Sequence, residues 1–108
     1  MTDSTNENIA TSLTSLSHPR RMSIFRLLAA QPKAEMSFQT LQAATKIRTT
    51  PLVHHLREME KAWLLSRQRK GQETYYQLTP ESLMSSMDCL FEILNMRYRR
   101  TADLGAAA

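Results

Sequence analysis

Basic side chains are concentrated in the middle of this 108-residue chain. Residues 18–76 carry eleven Lys or Arg and four Glu, a net charge of +7, while the segments on either side are net acidic. Localised positive charge attracts polyanions, because cationic side chains that contact phosphates release condensed counterions. The pattern favours a nucleic-acid partner, but charge alone does not separate such a protein from an ordinary basic one.

Several of these basic residues surround Gly71 in the segment 64–78. The segment predicts two short strands, 64–69 and 73–78, joined by a glycine turn. Alternation along a strand sends Arg67 and Arg69 to the same face, with Lys70 at the hairpin tip. Such a tip can lie on a phosphate backbone or in a minor groove. The alternative is a solvated hairpin whose charges protect the strand edge.

A helical pattern directly precedes the hairpin. Thr49 or Thr50 is expected to cap this helix, with Pro51 at its first position. Its apolar side consists of Leu52, His55, Leu56 and Met59. Together with a short helix that Ser37 can cap, it forms a predicted helix-turn-helix over residues 37–62. Short or polar side chains at the N-terminus of such a helix fit a major groove, and the free amides there favour phosphate.

The chain has no residue pattern typical of catalysis or of a metal cofactor. Its two glycines, Gly71 and Gly105, form no phosphate-cradling loop, and no nucleophile stands beside a plausible base and an orienting group. The single cysteine, Cys89, excludes an internal disulfide and a zinc site of paired thiolates. Asp88 and Glu92 are four residues apart, but two acids on one helix are usually a solvated pair. We therefore predict no enzymatic activity, no metal site and no cofactor.

Two further helices are predicted at the ends of the chain, with another over residues 19–30 between them. The first lies within the N-terminal segment 1–17, and the last covers residues 80–100, with Thr79 as its cap and Pro80 at its first position. Their apolar stripes exceed what one small domain can cover, so we expect a homodimer that packs through both terminal helices. The expected interface residues are Ile9, Leu13, Leu16, Leu83, Met87, Leu90 and Leu94.

Two motifs within this order of elements are similar to those of the ArsR/SmtB family of small dimeric bacterial repressors. The first is LSHPRRMSIFRLL at residues 16–28, which has a helix-breaking proline and an arginine two residues later. The second is TTPLVHHLREMEKAWLLSRQRKGQETYYQL at residues 49–78, which resembles the recognition helix and wing. The resemblance covers residues 9–97. It implies one winged helix-turn-helix domain over residues 1–108, mainly α-helical with a small two-stranded antiparallel β-wing.

This resemblance implies a sequence-specific, DNA-binding transcriptional regulator. The expected form is a dimeric repressor of a near-palindromic operator, with two recognition helices about 34 Å apart. The family's base-facing positions correspond here to Thr49, Thr50, Val53 and His54. Phosphate contacts are expected from Arg48 and Arg57 beside the helix and from Arg67, Arg69 and Lys70 in the wing.

The chain departs from the metal-sensing members of the family. Its third predicted helix has no Cys or His, and residues 77–100 have no His, so both usual sensor sites are missing. A response to oxidants through Cys89, or to a small ligand between the terminal helices, stays open. So does a winged-helix module that binds protein instead of DNA.

Trp63 is a second departure, because relatives commonly have a left-handed Gly after the recognition helix. Trp adopts that conformation only at a cost in free energy, so this helix is expected to end differently. The large ring then either packs under the wing or marks a contact site.

The sequence also bears on location. No apolar run approaches the roughly 20 residues that a membrane span needs. The N-terminus lacks the basic start and apolar segment of a signal peptide. We expect a cytoplasmic protein with no membrane partner, and a flexible tail over residues 101–108. The operator, the effector and the direction of regulation stay open.

Overall fold

The computed structural model describes residues 2–99, and the predicted tail at residues 101–108 lies outside them. The described helices are α1 (Thr2–Ser15), α2 (Pro19–Ala29), α3 (Phe38–Thr45), α4 (Thr49–Lys61) and α5 (Glu81–Leu94), and α5 continues into a π-helical turn (Asn95–Arg99). The strands are β1 (Glu35–Ser37), β2 (Leu65–Lys70) and β3 (Glu73–Leu78). None of the described helices is long and apolar enough to cross a membrane.

The hydrophobic core lies where α2, α3 and α4 meet the sheet. Its fully buried side chains are Ile24, Leu28, Leu41, Leu52, Leu56, Met59 and Leu64. Spacings of three and four residues within α2 and α4 put these side chains on one side of each helix. Burial of each such side chain favours folding by about 1.5–3 kcal/mol. The core therefore fixes the rotation of α4 about its own axis.

The first turns of α3 and α4 begin differently. Ser37 caps α3 as predicted, since its Oγ accepts a hydrogen bond from the Thr40 amide at 3.1 Å. The prediction that Thr49 or Thr50 caps α4 is wrong, because Arg48 is the N-cap residue and makes no side-chain cap bond. Pro51 is consequently the third helical residue, where its missing amide hydrogen leaves no helical bond unmade.

The sheet has three antiparallel strands in the order β1-β3-β2. The predicted wing corresponds to β2 and β3, which pair from Leu65↔Leu78 to Lys70↔Glu73 around Gly71. Gly71 has a φ of +66°, a conformation that glycine adopts without strain. The two-stranded prediction missed β1, whose Met36 pairs with Tyr76. Three residues are too few to show a period of two, so the sequence gives β1 no recognisable pattern.

Helix α4 ends in a Schellman motif centred on Trp63. The Leu64 amide donates to the Met59 carbonyl at 3.0 Å, and the Trp63 amide donates to the Glu60 carbonyl at 3.1 Å. Trp63 has a φ of +63°, so the prediction that this helix ends differently from one with Gly is wrong. Leu64 and Met59 are both buried in the core cluster, and the Thr79 hydroxyl donates to the Trp63 carbonyl, so this conformation is held on both sides.

Thr79 and Pro80 also differ from their predicted roles. Pro80 is the N-cap residue of α5 and makes no side-chain cap bond, while Thr79 uses its hydroxyl on Trp63 instead of on α5. The end of α4 and the start of α5 are thus joined directly. This connection outweighs the local preference of Thr for capping.

The two terminal helices pack against each other along one side of the domain. Small hydroxyl side chains line the contact, and the Oγ atoms of Ser12 and Ser86 share a hydrogen bond at 3.0 Å. Ser15 donates to the Ser12 carbonyl at 2.6 Å. Such close packing through small residues leaves the larger apolar side chains of both helices on the outside.

Trp63→Gly is expected to raise the free energy of unfolding by about 1 kcal/mol, because glycine removes the left-handed strain of an L-residue. The Trp63 side chain is 74% exposed, so its packing offsets little of this gain. Urea denaturation monitored by circular dichroism measures the change.

Ala62→Gly is the matched control one residue earlier. Ala62 has an ordinary negative φ of −87°, so glycine there is expected to destabilise the protein by roughly 0.5–1 kcal/mol. If Trp63→Gly destabilised the protein as much as Ala62→Gly, the Trp63 ring would have to contribute packing energy that its 74% exposure does not indicate.

Candidate nucleic-acid interface

Helix α4 has one buried side and one exposed side. Leu52, His55, Leu56 and Met59 are buried, as predicted. The side chains of Thr49, Thr50, His54 and Arg57 are exposed, and Val53 is half-buried. The exposed residues of the first turns are short or polar, which suits close approach to base edges.

A cluster of Arg21, His18 and His55 fixes the back of this helix. The Arg21 Nε donates to His55 Nδ1 at 3.2 Å, and a terminal nitrogen of Arg21 donates to the Thr14 carbonyl at 3.3 Å. The His18 and His55 ring centroids lie 4.6 Å apart. His55 is only 6% exposed, which confirms that it faces the core. The cluster connects α1 and α2 to α4.

His55 is neutral in this arrangement, with its proton on Nε2, because Nδ1 accepts the bond from Arg21. Burial, followed by the nearby His18 and Arg21, lowers the pKa of His55 from its ordinary value of 6.5. A proton on Nδ1 would place a positive charge against the Arg21 guanidinium and break their hydrogen bond. Protonation of His55 in acid therefore disturbs the buried side of α4 and not its exposed side.

The start of α4 is ordered by Gln42 of α3, a residue that was not among the predicted site residues. Gln42 Nε2 donates to the Ile47 carbonyl at 3.2 Å and to Thr49 Oγ1 at 2.9 Å. Lys46 ends α3 in a left-handed conformation with a φ of +58°. Thr49 is thus oriented by α3, whereas Thr50 and His54 are exposed along the same helix.

Arg67 and Arg69 lie on the same face of β2, as the alternation predicted. Their cross-strand partners are Tyr76 and Thr74, and Tyr76 is buried in the core. The Nε of Arg67 lies 3.6 Å from Glu60 Oε2 on α4, and the Nε of Arg69 donates to the Gly71 carbonyl at 3.3 Å. This face of the wing therefore lies next to the recognition helix.

Lys70 lies on the opposite face of the wing. Its Nζ is 2.9 Å from Glu35 Oε1 and lies 4.8 Å from the centroid of the Tyr75 ring. The sequence grouped Lys70 with the two arginines, but the structure separates its ammonium group from theirs. The missed strand β1 supplies Glu35, so sequence reasoning had no way to find this pair.

A groove of about 330 Å³ separates the start of α4 from the wing. Its lining includes Thr49 and Val53 from α4, Arg67 from the wing, and Gln39 from α3. Gln39 is exposed and was not among the predicted residues. The groove brings short side chains of the recognition helix and a wing arginine to a common surface.

Arg48 and Arg57 flank this surface. Both are exposed, and within residues 2–99 neither guanidinium group has a hydrogen-bond or ion-pair partner. Arginines without an acidic partner are available to phosphate oxygens at no cost of breaking an existing pair.

The sequence matches no protein-family model and no curated protein. The structure, in contrast, is similar to several solved structures. An ArsR-like transcriptional regulator from Rhodococcus sp. RHA1 superposes with a TM-score of 0.78 at 22% identity, over 97% of this chain and 96% of that chain. NolR from Sinorhizobium fredii superposes with a TM-score of 0.64 at 27% identity, over 82% of this chain and 85% of that chain.

A third structure is the homodimeric winged helix-turn-helix DNA-binding domain of a possible ArsR-family regulator from Mycobacterium bovis. It superposes with a TM-score of 0.64 at 21% identity, over 85% of this chain and 82% of that chain. The fold is a winged helix similar to those of these ArsR-type regulators. The resemblance found in the two sequence motifs is thereby confirmed at the level of three-dimensional structure.

The terminal helices α1 and α5 lie side by side, and much of their apolar surface is uncovered. Leu13, Phe91 and Leu94 are 45%, 57% and 49% exposed. Leu16 and Leu83, which the sequence assigned to a dimer interface, pack partly against the core. Ile9, Met87 and Leu90 are half-buried, so the outward surface is formed mainly by Leu13 and the later turns of α5.

No group of three or more His, Cys, Asp or Glu side chains that could hold a metal ion occurs in residues 2–99. Cys89 is half-buried on α5 as a free thiol.

Acidification is expected to lower the free energy of unfolding through His55. Between pH 6.5 and the lowered pKa, the unfolded chain binds a proton at His55 that the folded chain does not, so stability falls as the pH falls through this window. Urea denaturation between pH 7.5 and pH 5.0 measures the slope.

His55→Gln should flatten this slope. His54→Gln removes an exposed ring that lies 5.9 Å from the ring of His55 and is only a minor cause of its lowered pKa, so it should change the slope much less. If His55→Gln left the slope unchanged, another group would be responsible for the acid sensitivity.

Proposed function

We propose that this chain is a member of the ArsR family and acts as a dimeric, sequence-specific, DNA-binding transcriptional regulator. The proposal rests on one observation: the groove that joins the first turn of α4 to the wing contains Thr49, Val53 and Arg67 together. A helix N-terminus with short side chains can enter a major groove while a cationic strand beside it contacts the neighbouring phosphates. The similar structures support the same function, since they include an ArsR-like transcriptional regulator and a winged helix-turn-helix DNA-binding domain.

Base recognition in this proposal belongs to Thr49, Thr50, Val53 and His54. Thr50 and His54 are the most exposed to a partner, because Thr49 already accepts a hydrogen bond from Gln42 and Val53 is half-buried. Apolar contact from Val53 suits a thymine methyl group, and the hydroxyl and imidazole groups suit hydrogen bonds at base edges. Specificity would therefore depend on very few side chains.

Affinity in this proposal comes mainly from arginines on phosphates. Arg48 and Arg57 flank α4 without acidic partners among the described residues, and Arg67 and Arg69 share one face of β2. Lys70 has a smaller role here than the sequence suggested, because it lies on the other face in an ion pair with Glu35. Binding should weaken steeply as the salt concentration rises.

We further propose that two copies associate through α1 and α5. Uncovered apolar side chains at Leu13, Phe91 and Leu94 form the outer surface of this helix pair, and burial of such a surface favours a symmetric dimer. A two-fold axis there would present two recognition helices to successive major grooves, about 34 Å apart. The operator would then be near-palindromic.

Repression is the simplest regulatory outcome of such a dimer, since a protein bound over a promoter blocks transcription. The metal-independent character of the regulator is part of the proposal and follows from the sequence, which lacks both usual ligand sets. The protein would act in the cytoplasm, where the bacterial chromosome lies, and would not be an enzyme.

Arg69→Ala is expected to weaken binding to all duplexes by a similar factor and to reduce the slope of log K against log salt by about 1. His54→Ala should instead relax specificity, with a loss of about 1–3 kcal/mol for the preferred operator only. Fluorescence anisotropy on a selected operator and a scrambled duplex measures both.

Lys70→Ala is the control for the wing, and its effect on affinity should be clearly smaller than that of Arg69→Ala. A protein that binds no duplex selected from a random pool, or binds with a flat salt response, would refute the regulator. A protein-binding module would then be the remaining function for this fold.

Leu94→Glu is expected to convert the dimer into a monomer, because a charge in the centre of the apolar surface is costly to bury. The matched control is Glu92→Ala on the same helix, which removes a charge from an exposed position. Light scattering gives the mass, and loss of operator binding should accompany loss of the dimer. A wild-type protein that is already monomeric contradicts the proposal.

A further inference from the structure

A cleft of about 400 Å³ lies between α1, α5 and the end of the recognition helix. It is distinct from the groove beside the wing and shares no lining residue with it. The walls are formed by Thr5, Asn8, Ile9 and Thr11 of α1, by Ala62 and Trp63, and by Ser82, Ser85, Ser86 and Cys89 of α5. Its volume falls within the range of small-molecule sites.

The lining of this cleft contains no charged side chain. Hydroxyl and amide groups dominate it, with the Trp63 indole at one end and the Cys89 thiol on one wall. An ion that entered would lose hydration without gaining an opposite charge, which is unfavourable. A neutral molecule with both an aromatic ring and hydrogen-bonding groups fits this combination, because the indole offers a stacking face and the hydroxyls offer partners.

Trp63 is the least expected residue in this lining. Its left-handed backbone is strained for any side chain except glycine, and its ring is 74% exposed, so burial within the chain does not repay the strain. Strained residues that the surrounding bonds hold in place are concentrated at binding sites. Trp63 thus borders the cleft from a fixed helix end, and it also borders a second groove beside β2 and the start of α5.

The cleft and the proposed dimer surface lie on different sides of α5. At about 100° per residue, Ser82, Ser85 and Cys89 are centred roughly 170° around the helix from Met87, Phe91 and Leu94. Association of two copies through the apolar side therefore leaves the cleft side of α5 uncovered. On α1 the two surfaces adjoin, because the cleft residue Ile9 lies one helical turn from Leu13 of the dimer surface.

We propose that this cleft is a binding site for an uncharged aromatic molecule that carries hydrogen-bonding groups, and that this molecule is an effector of the regulator. The first half of the inference rests on the cleft alone, and the second half also rests on the proposed DNA-binding function. A bound molecule touches α1, α5 and the last residues of α4 at once. It therefore links the helices of the dimer surface to the recognition helix.

The test uses three probes of one shape and different charge: neutral benzamide, anionic benzoate and cationic benzamidine. Trp63 is the only tryptophan in the chain, so its fluorescence reports on the cleft directly. Benzamide should quench it saturably, with a dissociation constant on the order of a millimolar for nine non-hydrogen atoms. Benzoate and benzamidine should bind at least about tenfold more weakly, because each lacks a counter-charge there.

Cys89 gives a second, independent readout, because it is the only cysteine. Saturating benzamide should slow alkylation of Cys89 by iodoacetamide at least about twofold, since the thiol lines the same cleft. Trp63→Gly should abolish this protection while the protein stays folded, as its denaturation curve will show. The glycine variant thus separates loss of the site from loss of the fold.

Ser85→Leu fills the cleft and keeps Trp63 as a reporter, so it should weaken benzamide binding at least about tenfold. Ser23→Leu makes the same chemical change on the exposed surface of α2 and should leave binding unchanged. Non-saturating quenching, equal affinity for all three probes, or unchanged affinity in Ser85→Leu would overturn the inference.

The regulatory half is tested by repeating operator binding with saturating benzamide. A change in affinity of about threefold or more in the wild type, absent in Ser85→Leu, supports an effector role, and no change overturns it. The fluorescence titration contains no DNA. A failed titration therefore counts against the cleft, whereas failure to bind any duplex counts against the proposed function.

Discussion

Burial of the apolar side of α4 is the constraint on which the rest of the structure depends. Leu52, Leu56 and Met59 are inserted into the core, and the bond between Arg21 and His55 adds a polar contact on the same side. Because an α-helix is rigid, fixing one side fixes the direction of the other. The exposed positions of the first turns are therefore set by packing behind them, without any partner being present.

The wing is positioned by the same core. Leu65 and Tyr76 lie in the hydrophobic cluster at the root of the hairpin, so the face of β2 that carries Arg67 and Arg69 continues from a packed surface. The alternation of side chains along β2 then puts Lys70 on the opposite face, where it pairs with Glu35. A hairpin with an unpacked root would present all three cations without a fixed direction.

Periodicity predicted the helices, the hairpin and the buried side of α4, because burial of apolar residues determines all three. It failed where a local preference competed with a tertiary contact. Thr79 donates to the Trp63 carbonyl and does not cap α5, and Arg48 precedes α4 where a threonine cap was expected. The pairing of Lys70 with Glu35 depended on a three-residue strand that no sequence period reveals.

The ion pair between Arg67 and Glu60 connects the two halves of the candidate interface. At 3.6 Å between partly exposed groups, the pair contributes little to stability, on the order of 0–1 kcal/mol. A phosphate that approached the groove would therefore meet an arginine that can exchange partners at low cost. Glu60, left behind, would disfavour a second phosphate at the same place. The pair can thus orient Arg67 before DNA binds, and it can limit how closely the DNA backbone approaches the end of α4.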